Sequence, residues 1–404
     1  MRGVTPAMSS QKPSSSTAVL QAIRLHGGLS RSRLAEFTGL SRATISEISN
    51  SLLRQGWIEE LMDGGTPSGK GRPATLLQLA SNDRVMVGGE LTDDGWALAA
   101  FDLTGQVLSQ EACAVDVWSP QAAKAALIDS IDTLRSRYGS RCLPVLGLGL
   151  AGLVNTRTGV VESAADIGWR GVEFGVPVSR DLGWPTIVVN RHRARGLAEC
   201  RYGAGVTADP MLYVGIGSGV AAGLYIHRQL FSGAHGGAGE IGHIPINPDG
   251  PPCPCGNRGC LQVLVSSTAL VREVRRSIRD GSPSRIADRN HFDVEFLQMH
   301  DLTEAEARGD PLVRRVLRVG GAYLGMALAG LVNTFNPEGI VLGGSVPHAF
   351  PILVDEATQV MRQRAIMPIA SKTCVQLAHL PAWSGALGAI SYALDTHFTG
   401  PAVR

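Results

Sequence analysis

The sequence predicts an α/β protein of two lobes preceded by a small helix-turn-helix module with a β-hairpin. Three observations lead there. At 404 residues the chain exceeds what one hydrophobic core usually holds, so two or three domains are expected. Its first eighty residues carry helical patterns broken by glycine, then two strand patterns around a basic, Gly-rich loop. Beyond residue 84, strands that end in glycine loops alternate with helices, the pattern of a layered α/β fold.

Residues 1–16 are rich in Ser and Pro and are expected to form a disordered tail; they lack the apolar run of a secretory signal. A winged helix is expected over 17–80. In TAVLQAIRLHGG, Val19, Ile23 and His26 recur at helical spacing, and Gly27–Gly28 end the helix. Ser30 and Ser41 stand where N-caps belong, and Gly39 separates the next two helices. Ala35, Leu40, Ile45 and Ile48 supply the apolar contacts of a helix-turn-helix, and Leu52–Leu53 continue its second helix. Trp57–Ile58 open a strand, residues 63–73 (DGGTPSGKGRP) make a loop, and ATLLQLA returns, which together read as a wing.

A recognition helix presents its N-terminal residues to base edges in the major groove. Ser41, Arg42, Thr44 and Ser46 are therefore candidate DNA contacts, with Arg42 able to fork onto guanine. Lys70 and Arg72 at the wing tip can reach the DNA backbone or a minor groove. Residues 1–80 hold nine Lys/Arg against five Asp/Glu in a chain of net charge +2, an asymmetry that favours a polyanion partner. The blander alternative is a helical interaction module with a solvated basic face.

In the remainder, VMVGGELTDDGWALAAFDLTGQVL reads as a β-meander and residues 120–138 as an amphipathic helix. VLGLGLAGLVN and PTIVVN are buried strands, the second followed by the helix ARGLAECRYG. LYVGIGSGVAAGLYI is a strand pair about a glycine turn, and long helices are expected over 268–280 and 303–331 before the strand and glycine loop of GIVLGGSV. The uncharged stretch Val319–Pro337 has the length of a membrane span, but its Gly, Ala and Asn content predicts a buried helix running into a turn. A cytoplasmic protein with no membrane partner is expected.

Three of the seven cysteines fall within eight residues. His243-x9-Cys253-x-Cys255-x4-Cys260 offers one imidazole and three thiolates, a donor set suited to tetrahedral zinc with no position left for catalysis, hence a structural metal. Prolines 252 and 254 and glycines 256 and 259 supply the turns that let such close ligands converge. Buried free thiols beside an unrelated histidine are the alternative. Cys113, Cys142, Cys200 and Cys374 are isolated and read as core.

LYVGIGSGVAAGLYIHRQLFSGAHGGAGEIGH followed by CPCGNRGCLQ resembles the signature stretch and zinc motif of the ROK family, which groups bacterial sugar kinases with sugar-responsive repressors. The front end, including GKGRP, resembles the winged helix of the family's regulators. The likeness implies an actin-like, sugar-kinase-like (ribonuclease H-like) fold with sugar in the cleft. It implies a first lobe at 84–190, completed by a C-terminal helix at about 383–397, and a second at 191–382 carrying the zinc site and oligomerisation helices. It further implies Asn190, Glu240 and His243 as sugar ligands, with the other ring nitrogen of His243 on zinc.

Three departures from the family's kinases stand out. Their catalytic Asp after the Asn is here Arg191, which has no lone pair to accept a proton. Their first phosphate loop has an Asp and a Gly-Gly-Thr turn, where this chain reads Glu90-Leu-Thr-Asp-Asp-Gly. Their acidic sugar ligand after the zinc cysteines is here Gln262, still a candidate for the effector site. The sequence thus predicts no enzyme. It predicts a repressor of carbohydrate-metabolism genes, a homodimer or homotetramer on double-stranded operator DNA. The alternatives are a sugar kinase with an accessory DNA module and a scaffold that ignores sugars. Arg191 either binds an anionic effector, such as a sugar phosphate or sugar acid, or forms an ion pair across the cleft.

Overall fold

The computed structural model describes residues 14–62, 75–81, 84–234, 236–286 and 293–397. Helix α1 (Ser15–His26) starts two residues ahead of the expected boundary because Ser14 caps it, its hydroxyl accepting the Thr17 N–H at 3.2 Å. After the short strand β1 (Leu29–Ser30) come α2 (Arg31–Thr38) and α3 (Arg42–Arg54). The caps fall where the sequence puts them: Ser30 accepts from Arg33 N–H, and Ser41 accepts from Thr44 N–H at 3.1 Å. Gly39 ends α2 in the left-handed conformation at φ 69°, which glycine adopts without strain. Ile45, Ile48 and Leu52 are buried, with Ala35 and Leu40 packed at the edge. Strands β2 (Ile58–Met62) and β3 (Thr75–Leu79) pair antiparallel, with β1 on the other side of β3. The wing tip with Lys70 and Arg72 lies outside the described residues.

The first lobe is a meander, β4 (Val85–Leu91), β5 (Gly95–Phe101) and β6 (Val107–Ala114), then α4 (Pro120–Tyr138) and β7 (Cys142–Leu150). A small sheet of β8 (Leu153–Asn155), β9 (Val160–Ala164) and β10 (Trp169–Glu173) follows. Helix α5 (Gly175–Leu182), strand β11 (Thr186–Asn190) and helix α6 (Arg191–Tyr202) come next. The main sheet has the order β11-β7-β4-β5-β6.

The second lobe holds β12 (Met211–Ile216), β13 (Val220–Ile226) and β14 (Gln229–Leu230), then α7 (Gln262–Val265), α8 (Ser267–Arg279), α9 (Met299–Ala307) and α10 (Pro311–Phe335). Strand β15 (Gly339–Gly343), α11 (Ser345–Ala349), α12 (Pro351–Arg364), α13 (Met367–Ala370), β16 (Cys374–Leu377) and α14 (Ser384–His397) complete the chain. Its sheet runs β14-β13-β12-β15-β16.

One helix expected over 303–331 is two. Gly309 at φ 73° stops the first, Asp310 caps the second by accepting the Val313 N–H, and Pro311 fits its first turn. Helix α10 is long and apolar enough to cross a membrane, but it packs Leu317, Leu324, Leu328 and Val332 into the second lobe's core and ends at the left-handed Asn336. The C-terminal helix α14 returns to the first lobe and lies on β4 and β7. Gly88 and Gly147 allow this: a Cβ there would stand 2.1 Å from the Ala386 carbonyl oxygen and 2.2 Å from that of Ala389. Helix α6 packs on α14 and also touches β12 and β13, so it joins the two lobes.

Candidate functional site

Strand β11 ends in Asn190, which is buried and caps α6: its Oδ1 accepts the His192 and Arg193 N–H groups, and its Nδ2 donates to the Gly152 carbonyl at 2.8 Å. Its amide therefore already fixes three backbone groups where β11 passes into α6. From the next residue, Arg191 donates Nη1 to Asp93 Oδ1 at 2.8 Å and Nη2 to Ser218 Oγ at 3.0 Å. Asp93 sits in the turn between β4 and β5, and Ser218 in the turn between β12 and β13. The first is the loop that the kinase resemblance would give to nucleotide phosphate, and the arginine ties it to the second. Burial pushes the Asp93 carboxyl up, but the Arg191 guanidinium and the hydrogen bonds from Arg191 and Ser218 outweigh it and hold the group below the usual carboxylate range. The ion-pair alternative for Arg191 is the one the geometry gives. Glu90, expected at a phosphate loop, is fully buried and accepts from Arg195 Nε at 3.1 Å.

Two residues along α6, Arg193 is 1% exposed and donates Nη2 to Glu240 Oε1 at 2.9 Å and Nη1 to the Gly236 carbonyl. This orients the Glu240 carboxylate from the opposite lobe. Gln262 starts α7 and its Oε1 accepts the Val220 N–H at 3.4 Å. Asn190, Arg191, Glu240 and Gln262 are thus joined through α6 and the turn before β13. An open groove of about 830 Å³ lies elsewhere, between the cysteine loop and α8 and α10, and none of the expected sugar ligands lines it.

Sequence reasoning missed Asp93, Ser218 and Asp166. Asp166 lies between β9 and β10, and its Oδ2 is 3.8 Å from Arg191 Nη2. Burial pushes its carboxyl up, an effect that Arg191 offsets and Asp93 reinforces. Asp93 and Ser218 fall inside stretches the sequence does mark, without being distinguished there, whereas no local motif marks Asp166.

His192 is buried against Gly215 with neither ring nitrogen hydrogen-bonded among the described residues. Burial, then Arg191 and Arg195, push its pKa well below the ordinary histidine value, so it stays neutral in the fold. In the unfolded chain it takes a proton below about pH 6.5. The stability that the neutral ring contributes is therefore present above that pH and is lost on acidification, at up to about 1.4 kcal/mol per pH unit. Thermal melts between pH 7.5 and 5 should fall accordingly in the wild type and be flatter in His192→Gln.

The cysteine loop is folded by its own backbone. Ile246 N–H donates to Gly259 C=O at 2.9 Å, Leu261 N–H to Ile244 C=O at 2.9 Å, and Cys253 N–H to Asn257 C=O at 2.7 Å. Gly259, at φ 59°, has the Asn247 carbonyl where any Cβ would go. The ligand atoms of His243, Cys253, Cys255 and Cys260 all lie within 4.8 Å of one another. His243 Nδ1 is 3.6 Å from Cys253 Sγ, and Cys255 Sγ is 3.7 Å from Cys260 Sγ. A tetrahedral zinc with bonds of about 2.0–2.3 Å spaces its ligands roughly 3.4–3.8 Å apart, and both of these separations fall in that range, so the donor set could hold such an ion. Burial pushes the Cys260 thiol up to about 12, while the Asn257 N–H, above all, brings Cys255 down to about 7. A cation at the centre would offset the cost of the buried thiolates.

On α3, Arg42 is exposed with no side-chain partner among the described residues, whereas the hydroxyls of Ser41 and Thr44 bond each other at 2.8 Å. Ser46 donates back to the Arg42 carbonyl at 2.9 Å. Arg42 is the free cation of that helix start.

A winged helix set on two kinase-like lobes, with an arginine at the place of the base and a His/Cys3 loop, defines a DNA-binding regulator built on a sugar-kinase frame. The ROK family model matches residues 85–396, and the chain belongs to the ROK family; a MarR family model matches residues 13–63. The xylose repressor of Caldicellulosiruptor bescii is 25% identical over 95% of this chain and 96% of its own. A solved ROK family transcriptional regulator, a homolog of the E. coli MLC protein, superposes with TM-score 0.79 at 29% identity, over 94% of this chain and 95% of that one. The ROK family glucokinase of Streptomyces griseus, solved with glucose and AMPPNP, gives 0.65 at 26% identity, covering 99% of the kinase but 77% of this chain. The chain is a transcriptional regulator of this family.

Proposed function

We propose that the protein is a repressor of carbohydrate-metabolism genes, released from or tightened on its operator by a sugar bound between the lobes, and that it transfers no phosphoryl group. The observation that carries this reading is Arg191, which stands at the base position and is engaged with Asp93 and Ser218. A guanidinium cannot take a proton from a sugar hydroxyl, and this one ties the loop where ATP phosphate would have to fit to the turn before β13. Asn190, Glu240, His243 and Gln262 hold the sugar in this reading, and a zinc ion on His243, Cys253, Cys255 and Cys260 fixes the imidazole. The zinc would supply rigidity only, since four protein ligands leave it no open position. Arg42, Ser41, Thr44 and Ser46 contact the operator, with Lys70 and Arg72 of the wing, and a homodimer or homotetramer presents paired recognition helices to paired half-sites.

The route from sugar to DNA in this reading runs along α6. The helix begins at Asn190 and Arg191 in the cleft and ends near Arg201, which pairs with Asp395 of α14 at 2.5 Å. Asp395 also pairs with Arg24 of α1, in the winged helix. Fluorescence anisotropy on DNA from upstream of the protein's own gene, at fixed salt, tests the proposal. A sugar is expected to shift operator affinity by at least fivefold, a typical coupling, while leaving non-specific binding unchanged. An assay with ATP and the same sugar should show no sugar phosphate. Turnover would favour the kinase reading, and salt-labile binding that no sugar alters would favour a scaffold.

A further inference from the structure

Both cleft arginines are already committed. Arg191 divides its guanidinium between Asp93 and Ser218, and Arg193 between Glu240 and the Gly236 carbonyl. Neither has a fork to offer a phosphate or carboxylate ligand, because bidentate recognition needs two parallel N–H groups on one side. Asp166 is the opposite case. It accepts no hydrogen bond among the described residues, and its one ion-pair contact is the engaged Arg191 at 3.8 Å. Its Oδ2 stands 3.1 Å from the point where a Cβ on Gly219 would lie, and Gln262 Oε1 stands 3.9 Å from the same point. A carboxylate of the first lobe and an amide of the second therefore converge on one glycine of the turn before β13. Three carboxylates, Asp93, Asp166 and Glu240, face two guanidiniums, which leaves one negative charge in excess.

We propose that Asp166 sets the charge class of the effector: it accepts a hydrogen bond from a ligand hydroxyl or amine, and the cleft takes uncharged or amine-bearing sugars while rejecting their phosphates and acids. This rests on the sugar-responsive reading above and adds to it which sugars can be effectors. A hydroxyl or ammonium donor gains a charge-assisted bond to a carboxylate that has none among the described residues, whereas an added phosphate meets the surplus negative charge with Arg191 and Arg193 already engaged.

Calorimetry and thermal shift on the full-length protein test this, with xylose, glucose, N-acetylglucosamine, glucosamine, glucose 6-phosphate and gluconate. The wild type is expected to bind glucose or glucosamine roughly ten- to a hundredfold more tightly than glucose 6-phosphate or gluconate, the range of one charged hydrogen bond. Asp166→Asn should shrink that ratio and remove any advantage of glucosamine over glucose, with the melting temperature held or raised, since a half-buried carboxylate without a hydrogen bond is removed. Tighter binding of the phosphate or acid than of its parent overturns the proposal, as does an unchanged ratio in Asp166→Asn. If none of the six compounds binds while operator DNA is still bound, the sugar-responsive reading itself fails and takes this assignment with it.

Discussion

Stripping the metal with a chelator, or replacing Cys260 by Ser, is expected to lower sugar affinity by roughly ten- to a hundredfold, the usual cost of losing a shell that orients a binding residue. The stability loss should be larger still. The loop has almost no core of its own: Cys253, Cys260 and Val263 form a cluster of three residues. With the thiols protonated and no ion, the loop is held by backbone bonds such as those donated by Ile246, Leu261, Cys253 and Gly259, and each contributes about 1 kcal/mol net. His243 would then lose the partner that fixes its ring, since its Nδ1 faces Cys253. Zinc released on denaturation, read with a chromophoric chelator, should approach one ion per chain in the wild type and near none in Cys260→Ser. Cys374→Ser is the control: the sequence places this cysteine in the core, but it is exposed on the edge strand β16, and its replacement should change neither metal content nor melting. Equal melting with and without chelator would remove the metal from the account.

What could be read from the sequence was local. The caps at Ser30 and Ser41, the stop at Gly39 and the His/Cys3 spacing are settled within a few residues, so a single segment suffices to place them. Arg191 was conspicuous because its residue type contradicts the chemistry expected there. Its partners were hidden. Asp93 lies 98 residues away and Ser218 27 residues away, and only the order of the two sheets brings their turns together. Asp166 has no motif, and its environment is created by β9, β10 and α6 meeting. The split at Gly309 was missed for a different reason. The apolar periodicity continues across the break, and a single glycine in a helical pattern is ambiguous until its φ is known.

Asp395→Ala is expected to uncouple the winged helix from the lobes at a cost of about 3–5 kcal/mol, the penalty for removing one partner of a buried ion pair. Asp395 is shared: Arg24 of α1 and Arg201 of α6 both donate to it, and their side chains are 8% and 1% exposed. Without the carboxylate, two buried guanidiniums face each other with no counter-charge. The surrounding contacts are apolar, with Leu20 and Ile23 of α1 in one cluster with Met86, Leu143 and Leu394, so docking should weaken without being abolished. Arg24 also donates to the Ser391 carbonyl at 2.9 Å, and Gln21 donates to that of Asp395 at 3.1 Å, both on α14. These are backbone acceptors that survive the substitution. Sugar binding at the other end of α6 should persist in Asp395→Ala, while the effect of sugar on operator affinity should collapse. A lower melting temperature alone would not establish coupling, and the triple variant Arg24→Met, Asp395→Leu, Arg201→Met separates the two. Apolar replacement of a buried ionic triad commonly restores stability. If the route runs through the shared carboxylate, that variant melts like the wild type, binds sugar and operator, and no longer links them. If it still responds to sugar, the apolar contacts of α1 with α14 carry the signal, and the ion pairs only hold the winged helix in place.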